Sequence, residues 1–347
     1  MSSSSPARSD DGGIATRRVV AFGGGHGLFA SLRALRRLKL DESPDQILEI
    51  TAVVTVADDG GSSGRIRREF DMLPPGDLRQ ALVALAGEDR VSATTATLFQ
   101  HRFVGHGELG GHAVGNLLLA GLTEVTGSTA AALAQAGKIL HTCGRVLPMS
   151  ALPLQIEADV RGVDIDQPDT VSVVRGQTAV ATTRGMVKQV RLVPAEPPAS
   201  QEVLAAIANA DWLIFGPGSW FTSVLPHFLV PELRDAIKAS SASRLLILNL
   251  TGDIETIGLS TADLLHSLRH HAPEFRADVV LGDPSVTSDI KSDSDVTKGT
   301  EVDAALLSAT ETLGAQLVVA PIARDDGTAR HAPAAFAAAL RSIFDAG

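Results

Sequence analysis

The sequence predicts an α/β fold: a mostly parallel, doubly wound sheet carrying a small antiparallel β insertion. Three observations predict it. β-branched runs alternate with amphipathic runs along most of the chain. Apolar runs such as Ile50-Thr-Ala-Val-Val-Thr-Val56 are continuous rather than alternating, as suits strands covered on both faces. From Pro153 to Val193 the texture changes to short β-rich segments separated by Gly, Pro and Asp.

The elements follow in order. Residues 1–16, rich in Ser, Asp, Gly and Pro, read as a disordered leader, and residues 17–347 as one domain. Val19–Phe22 is the first strand, a helix runs to Leu38, and Leu48–Val56 is the second strand. Residues 77–142 read as mainly helical, with an Ala-rich piece, Thr129–Leu140, that Ser128 can cap. Within the insertion, residues 151–195, the segments Leu154–Val160, Thr170–Val174, Gln177–Ala181 and Met186–Leu192 read as strands. Alternation then resumes with helix 200–209, strand Trp212–Phe215, a helix near 230–239, strand Arg244–Leu250, helix 261–270 and strand Ala277–Leu281. The polar stretch Asp283–Thr300 reads as a mobile loop, and helix 301–313, strand Gln316–Val319 and helix 332–343 close the chain.

Composition narrows the function. A hydrophobic content of 44% in 347 residues suffices for a large core, although aromatic residues make up only 4% and tyrosine is absent. The net charge of −10 argues against nucleic acid as a partner. One cysteine, Cys143, excludes a disulfide framework and a Cys-based zinc site. The amino-terminal segment lacks the apolar stretch of a signal peptide, and no run of about 18 apolar residues is present to span a membrane. A cytoplasmic protein is expected.

The chemistry gathers where strands end. Val19-Val-Ala-Phe-Gly-Gly-Gly-His-Gly-Leu28 passes from strand to glycine turn to helix, so Gly23, Gly24, Gly25, His26 and Gly27 aim a helix N-terminus at the strand edge. Unpaired N–H groups and a partial positive charge there suit a phosphate or diphosphate. A complete G-x-G-x-x-G and a Walker lysine are both missing, which disfavours a P-loop NTPase. The second strand runs into Ala57-Asp-Asp-Gly-Gly-Ser-Ser-Gly64. There Asp58, Asp59, Gly60, Gly61, Ser62 and Ser63 form a polar concavity, and the paired acids could hold a divalent ion. Asp77 in Pro74-Pro-Gly-Asp-Leu-Arg79 reads best as a helix cap, with Arg65, Arg67, Arg68 and Arg79 as positive surroundings. Gly115 and Asn116 open another helix; His101, His106 and His112 share no helical face, which argues against a metal cluster. Strand Trp212–Phe215 breaks into Gly216, Pro217, Gly218 and Ser219, followed by Thr222 and Ser223, whose hydroxyls can bind phosphate oxygens. A serine nucleophile is disfavoured, because G-x-S-x-G is missing. Asn249 ends the next strand in the same position.

Those strings, Gly23 to Leu28, Val54 to Gly64, Pro74 to Asp77, Gly115 to Leu118 and Gly216 to Ser223, resemble the gluconeogenesis-factor (YvcK/GlmR) family of the CofD-like superfamily. The resemblance spans about residues 17–345 and points to an actinobacterial type. It implies a Rossmann-like fold and binding of a UDP-sugar, chiefly UDP-N-acetylglucosamine, with a dinucleotide such as NAD as a further ligand and no required cofactor. It also implies a homodimer that directs carbon to peptidoglycan precursors by stimulating glucosamine-6-phosphate synthase, with effects on cell shape and gluconeogenic growth. The alternative it implies is a Mg²⁺-dependent phospholactate or phosphoenolpyruvate transferase acting on a deazaflavin acceptor, with Asp58 and Asp59 at the metal. Departures from the family pattern are His26, Phe221 and Gly252-Asp-Ile-Glu-Thr256, while Arg330-His331 matches a late pair that makes Arg330 a diphosphate partner.

Overall fold

The computed structural model describes residues 15–41, 46–250, 252, 254–287 and 302–346. Strand β1 (Ala15–Gly23) leads through a glycine turn into helix α1 (Gly25–Leu40) and then strand β2 (Gln46–Val54). Ala15 and Thr16, expected in the leader, instead pair with Gln46 and Ile47 of β2; residues 1–14 lie outside the described ones. Five helices follow: α2 (Gly61–Phe70), α3 (Pro75–Ala84), α4 (Arg90–Gln100), α5 (Val114–Thr126) and α6 (Thr129–Ile139). The Ser128 hydroxyl caps α6 by accepting from the Ala131 N–H. Strand β3 (Gly144–Pro148), which the sequence reading passed over, is five residues bounded by Gly and Pro.

The insertion holds β4 (Gln155–Arg161), β5 (Val171–Arg175), α7 (Gln177–Ala181) and β6 (Met186–Val193). Its sheet is antiparallel in the order β5-β4-β6. Ile156, Ala158 and Val160 turn inward and are fully buried, while Glu157 and Asp159 point outward to Arg191. Gln177–Ala181 is a helix and not the strand its sequence suggested. Gly176, at φ +98°, ends β5, and a carboxylate from elsewhere in the chain caps the turn that follows.

The rest completes the parallel sheet: α8 (Gln201–Ala208), β7 (Trp212–Phe215), a π-helical turn at Trp220–Val224, α9 (Pro226–Leu229), α10 (Pro231–Ala239), β8 (Ser243–Ile247), α11 (Thr261–His271), β9 (Val279–Gly282), α12 (Pro284–Thr287), α13 (Ala304–Thr312), β10 (Gln316–Val319) and α14 (Pro333–Ala346). Of the stretch expected as a mobile loop, Pro284–Thr287 is helical and residues 288–300 lie outside the described ones.

Seven parallel strands stand in the order β10-β9-β8-β7-β1-β2-β3. The chain builds outward from β1 through β2 to β3, then returns to the other side of β1 and builds outward again from β7. The order therefore reverses between β1 and β7, where doubly wound sheets open a crevice at their carboxyl ends. The few aromatic residues brace this point. Phe22 of β1 stacks on Phe215 of β7 at 4.8 Å, and Phe215 meets Phe228 at 4.9 Å and Phe275 at 5.3 Å. Burying such a ring contributes about 2–3 kcal/mol, so the two strands that flank the crevice are firmly held.

Candidate functional site

The glycine turn after β1 is dictated locally. Gly25 sits at φ +52°, a region L side chains rarely adopt, and this lets α1 start directly over the strand end. Gly27 is required for a different reason: a Cβ there would lie 2.1 Å from the Pro217 carbonyl oxygen and 2.4 Å from the Gly218 Cα. The loops after β1 and β7 are thus in direct contact. Ser31 of α1 strengthens the join by donating to the Gly216 carbonyl at 2.8 Å. Just beyond β8, the Asn249 amide clips Gly218 from both sides, accepting from its N–H at 2.7 Å and donating to its carbonyl at 2.9 Å.

Over these strand ends lies a cavity of about 390 Å³, lined by Gly24, Gly25, His26, Gly27, Asp58, Asp77, Gln80, Gln177, Pro217, Gly218, Ser219, Ser223, Asn249, Leu250, Ala329 and His331. One wall carries the amino-terminal N–H groups of α1, which have no intrahelical partner, together with two serine hydroxyls. Two carboxyl groups, Asp58 and Asp77, line the cavity as well. Asp77 does not cap its own helix; Pro74 holds that position, and the Asp77 carboxyl accepts the Gly25 N–H instead. Burial, and then the neighbouring Asp58 charge, push the Asp77 pKa up to about 7. Burial likewise raises the Asp58 pKa, opposed by hydrogen bonds from the Gly60 N–H and Ser63. His331 presents a neutral imidazole, since burial pulls its pKa down to about 4 against the pull of Asp283. Its ring stacks on Phe336 at 5.1 Å.

Eleven of the residues singled out in the sequence meet at this cavity: Gly24, Gly25, His26, Gly27, Asp58, Asp77, Pro217, Gly218, Ser219, Ser223 and Asn249. Gly23 and Gly216 flank the ends of β1 and β7, next to its lining. The others lie elsewhere. Asp59 turns to the insertion, accepting from the N–H and hydroxyl of Thr178, so the adjacent acids are split and Asp58 faces Asp77. Gly60 and Gly61 form the turn into α2. Ser63 accepts from the Gly76 N–H at 2.7 Å and thereby sets the start of α3. Asn116 is 1% exposed; its oxygen accepts from Arg79 Nε at 2.8 Å and its amide donates to Ser62 at 2.9 Å. Asn116 and Ser62 therefore join α5 to α3 and α2, away from the cavity lining. Gly115 admits the close packing of Arg79 and Phe99. The hydroxyl of Thr222, fully buried, donates to Glu255 at 3.0 Å. Arg330 is exposed and is not part of the lining; its neighbour His331 is.

Three of the four arginines bond within the fold as well. Arg65 and Arg67 donate to the carbonyls of Gly110 and Leu154, and the buried Arg79, its pKa lowered to about 10 by burial, bonds Asn116 and Gln100. Sequence reasoning missed Gln80, Gln177, Leu250, Ala329 and His331 as cavity residues, none of which follows directly on a glycine-rich strand end. It also missed Glu255. This buried carboxylate accepts the Phe221 N–H at 2.8 Å and so holds the π-helical turn beneath the cavity.

The fold and cavity define an α/β protein with a polar, glycine-walled crevice at the reversal point of a doubly wound sheet, the place where such sheets as a class hold small ligands. Comparison with known proteins narrows this class. The profile described as 2-phospho-L-lactate transferase CofD matches residues 19–323. A gluconeogenesis-factor homologue from Mycobacterium tuberculosis is 48% identical over 94% of this chain and 90% of its own. The gluconeogenesis factor of Bacillus subtilis is 37% identical over 73% of this chain and 74% of its own. A crystal structure of a Bacillus halodurans protein superposes with a TM-score of 0.78 at 36% identity, covering 94% of this chain and 100% of that one. The chain belongs to the gluconeogenesis-factor family of CofD-like proteins.

Proposed function

We propose that the cavity binds a nucleotide diphosphate sugar of the UDP-N-acetylglucosamine type and that the protein is a regulator rather than an enzyme. The observation that carries this reading is the contact of Gly27 with Pro217 and Gly218, which puts the donors of two glycine loops into one cleft. A diphosphate would lie on the α1 N-terminus and the Gly218–Ser219 loop. Asp58 would accept from sugar or ribose hydroxyls, and the flat, neutral His331 would face the base. NAD offers the same diphosphate and is a weaker candidate, a cavity of about 390 Å³ being small for two nucleosides. The output would be stimulation of an amino-sugar enzyme, glucosamine-6-phosphate synthase, feeding peptidoglycan synthesis, with the protein acting as a homodimer in the cytoplasm. Among the described residues no helix is long and apolar enough to cross a membrane.

Titration calorimetry with UDP-N-acetylglucosamine is the test. Saturable binding that Gly27→Ala weakens at least tenfold supports the reading; a folded protein that takes up no nucleotide sugar at millimolar concentration rejects it.

One observation favours a second reading. Asp58 and Asp77 face the same cavity, a donor set that fits Mg²⁺, which takes one or two carboxylates and keeps several waters. Bound there, the ion would neutralise a transferring phosphoryl group. Formation of a phospholactyl or phosphoenolpyruvyl deazaflavin, lost in Asp58→Asn, would establish a transferase; no product from either donor with Mg²⁺ present dismisses it.

A further inference from the structure

Helix α7 is carried by the β insertion, yet its first residue, Gln177, lines the cavity. The next residue fastens it there. Thr178 donates its backbone N–H at 2.9 Å and its hydroxyl at 2.8 Å to the same oxygen, Oδ1 of Asp59. Asp59 thus caps, from a distant segment, a helix whose own N-cap, Gly176, has no side chain. The facing surfaces admit nothing larger: a Cβ on Gly176 would meet Asp59 Oδ2 at 2.3 Å, and one on Gly60 would meet Thr178 Oγ1 at 2.8 Å. Because Asp58 lines the cavity, a single peptide bond separates the ligand wall from this fastening.

The insertion has another attachment. His271, at the end of α11, donates from Nδ1 to the Ser267 carbonyl at 2.8 Å and accepts the Val190 N–H of β6 at Nε2, 3.1 Å away. The small sheet is thus pinned along β6 and fastened at α7.

We propose that α7 is a sensor and the Asp59–Thr178 contact a latch, through which cavity occupancy controls how firmly the three-stranded sheet is docked. A ligand shifts a conformational balance only if it contacts the two states differently, and Gln177 supplies such a contact from the moving part. The insertion would then be the surface that reports occupancy to a partner. The identity of the occupant rests on the function proposed above; the latch does not.

Hydrogen exchange on the full chain tests this, in wild type, Thr178→Val, Thr178→Ser and Asp59→Ala, with and without UDP-N-acetylglucosamine. Thr178 is exposed and does not line the cavity, so both Thr178 variants should fold and bind within a few-fold of wild type. Without ligand, Thr178→Val and Asp59→Ala are expected to speed exchange of residues 171–181 about tenfold, with β1 and β7 unchanged and Thr178→Ser close to wild type. Ligand is expected to slow that segment about tenfold in wild type and much less in Thr178→Val. Unaltered exchange in both unliganded latch variants overturns the latch, and bound wild type with an unaltered segment overturns the sensor. If calorimetry detects no nucleotide-sugar binding, the ligand reading falls and the sensor with it, while the unliganded comparison still decides the latch.

Discussion

Asp77 is a carboxyl held where its charge is disfavoured. Its folded pKa, about 7, lies above the value near 4 of an unfolded chain. The stability it confers is therefore complete below about pH 4 and is lost as pH rises through 7. Asp77→Asn keeps an acceptor for the Gly25 N–H without the charge, so it is expected to raise the melting temperature at pH 8 and to leave it nearly unchanged at pH 4. A variant less stable than wild type at pH 8 would contradict the assignment. A diphosphate adds negative charge beside the same group, so binding should take up a proton. Affinity is then expected to fall as pH rises from 6 to 8, and to fall less in Asp77→Asn. Gly27 carries a steric prediction. The 2.1 Å clash of an added Cβ with the Pro217 carbonyl must force the two loops apart, costing about 1–3 kcal/mol in urea unfolding.

Among the elements, the π-helical turn at Trp220–Val224 depends most on one remote side chain. Glu255→Ala would strand the buried Phe221 N–H and Thr222 hydroxyl, and a loss of about 3 kcal/mol is expected, with Glu255→Gln recovering part of it. A loss below about 1 kcal/mol would show that the turn does not need the carboxylate. What was legible in the sequence divides along the same line. Six of the seven parallel strands could be read because each is a short apolar run, β3 being the one passed over, and the glycine loops because they interrupt such runs abruptly. The insertion helix could not: Gln177–Ala181 is too short for periodicity to speak, and its cap, Asp59, lies 119 positions away in the chain. The bonding of Asn116 was hidden for a related reason: it opens a helix in the sequence, whereas its bonds to Arg79 and Ser62 are tertiary facts with no local signature. Asp58 and Asp59 looked like a pair because they are adjacent, but Asp58 lines the cavity while Asp59 turns away to Thr178.

In the whole molecule, the site exists because the strand order reverses between β1 and β7. That reversal brings together three loops remote in sequence, and Asn249 ties the third to the second through Gly218. Asn249→Ala is expected to weaken ligand binding about tenfold by releasing that peptide, with a smaller effect on stability than Gly27→Ala, as paired calorimetry and urea melts would show. The most direct test is a crystal structure grown with saturating UDP-N-acetylglucosamine. Diphosphate density over Gly24–Gly27 and Gly218–Ser219, with the sugar or ribose against Asp58, is the result expected. A ligand seated elsewhere, such as the cavity of about 370 Å³ beside Arg234, Lys238 and Arg244, would contradict it.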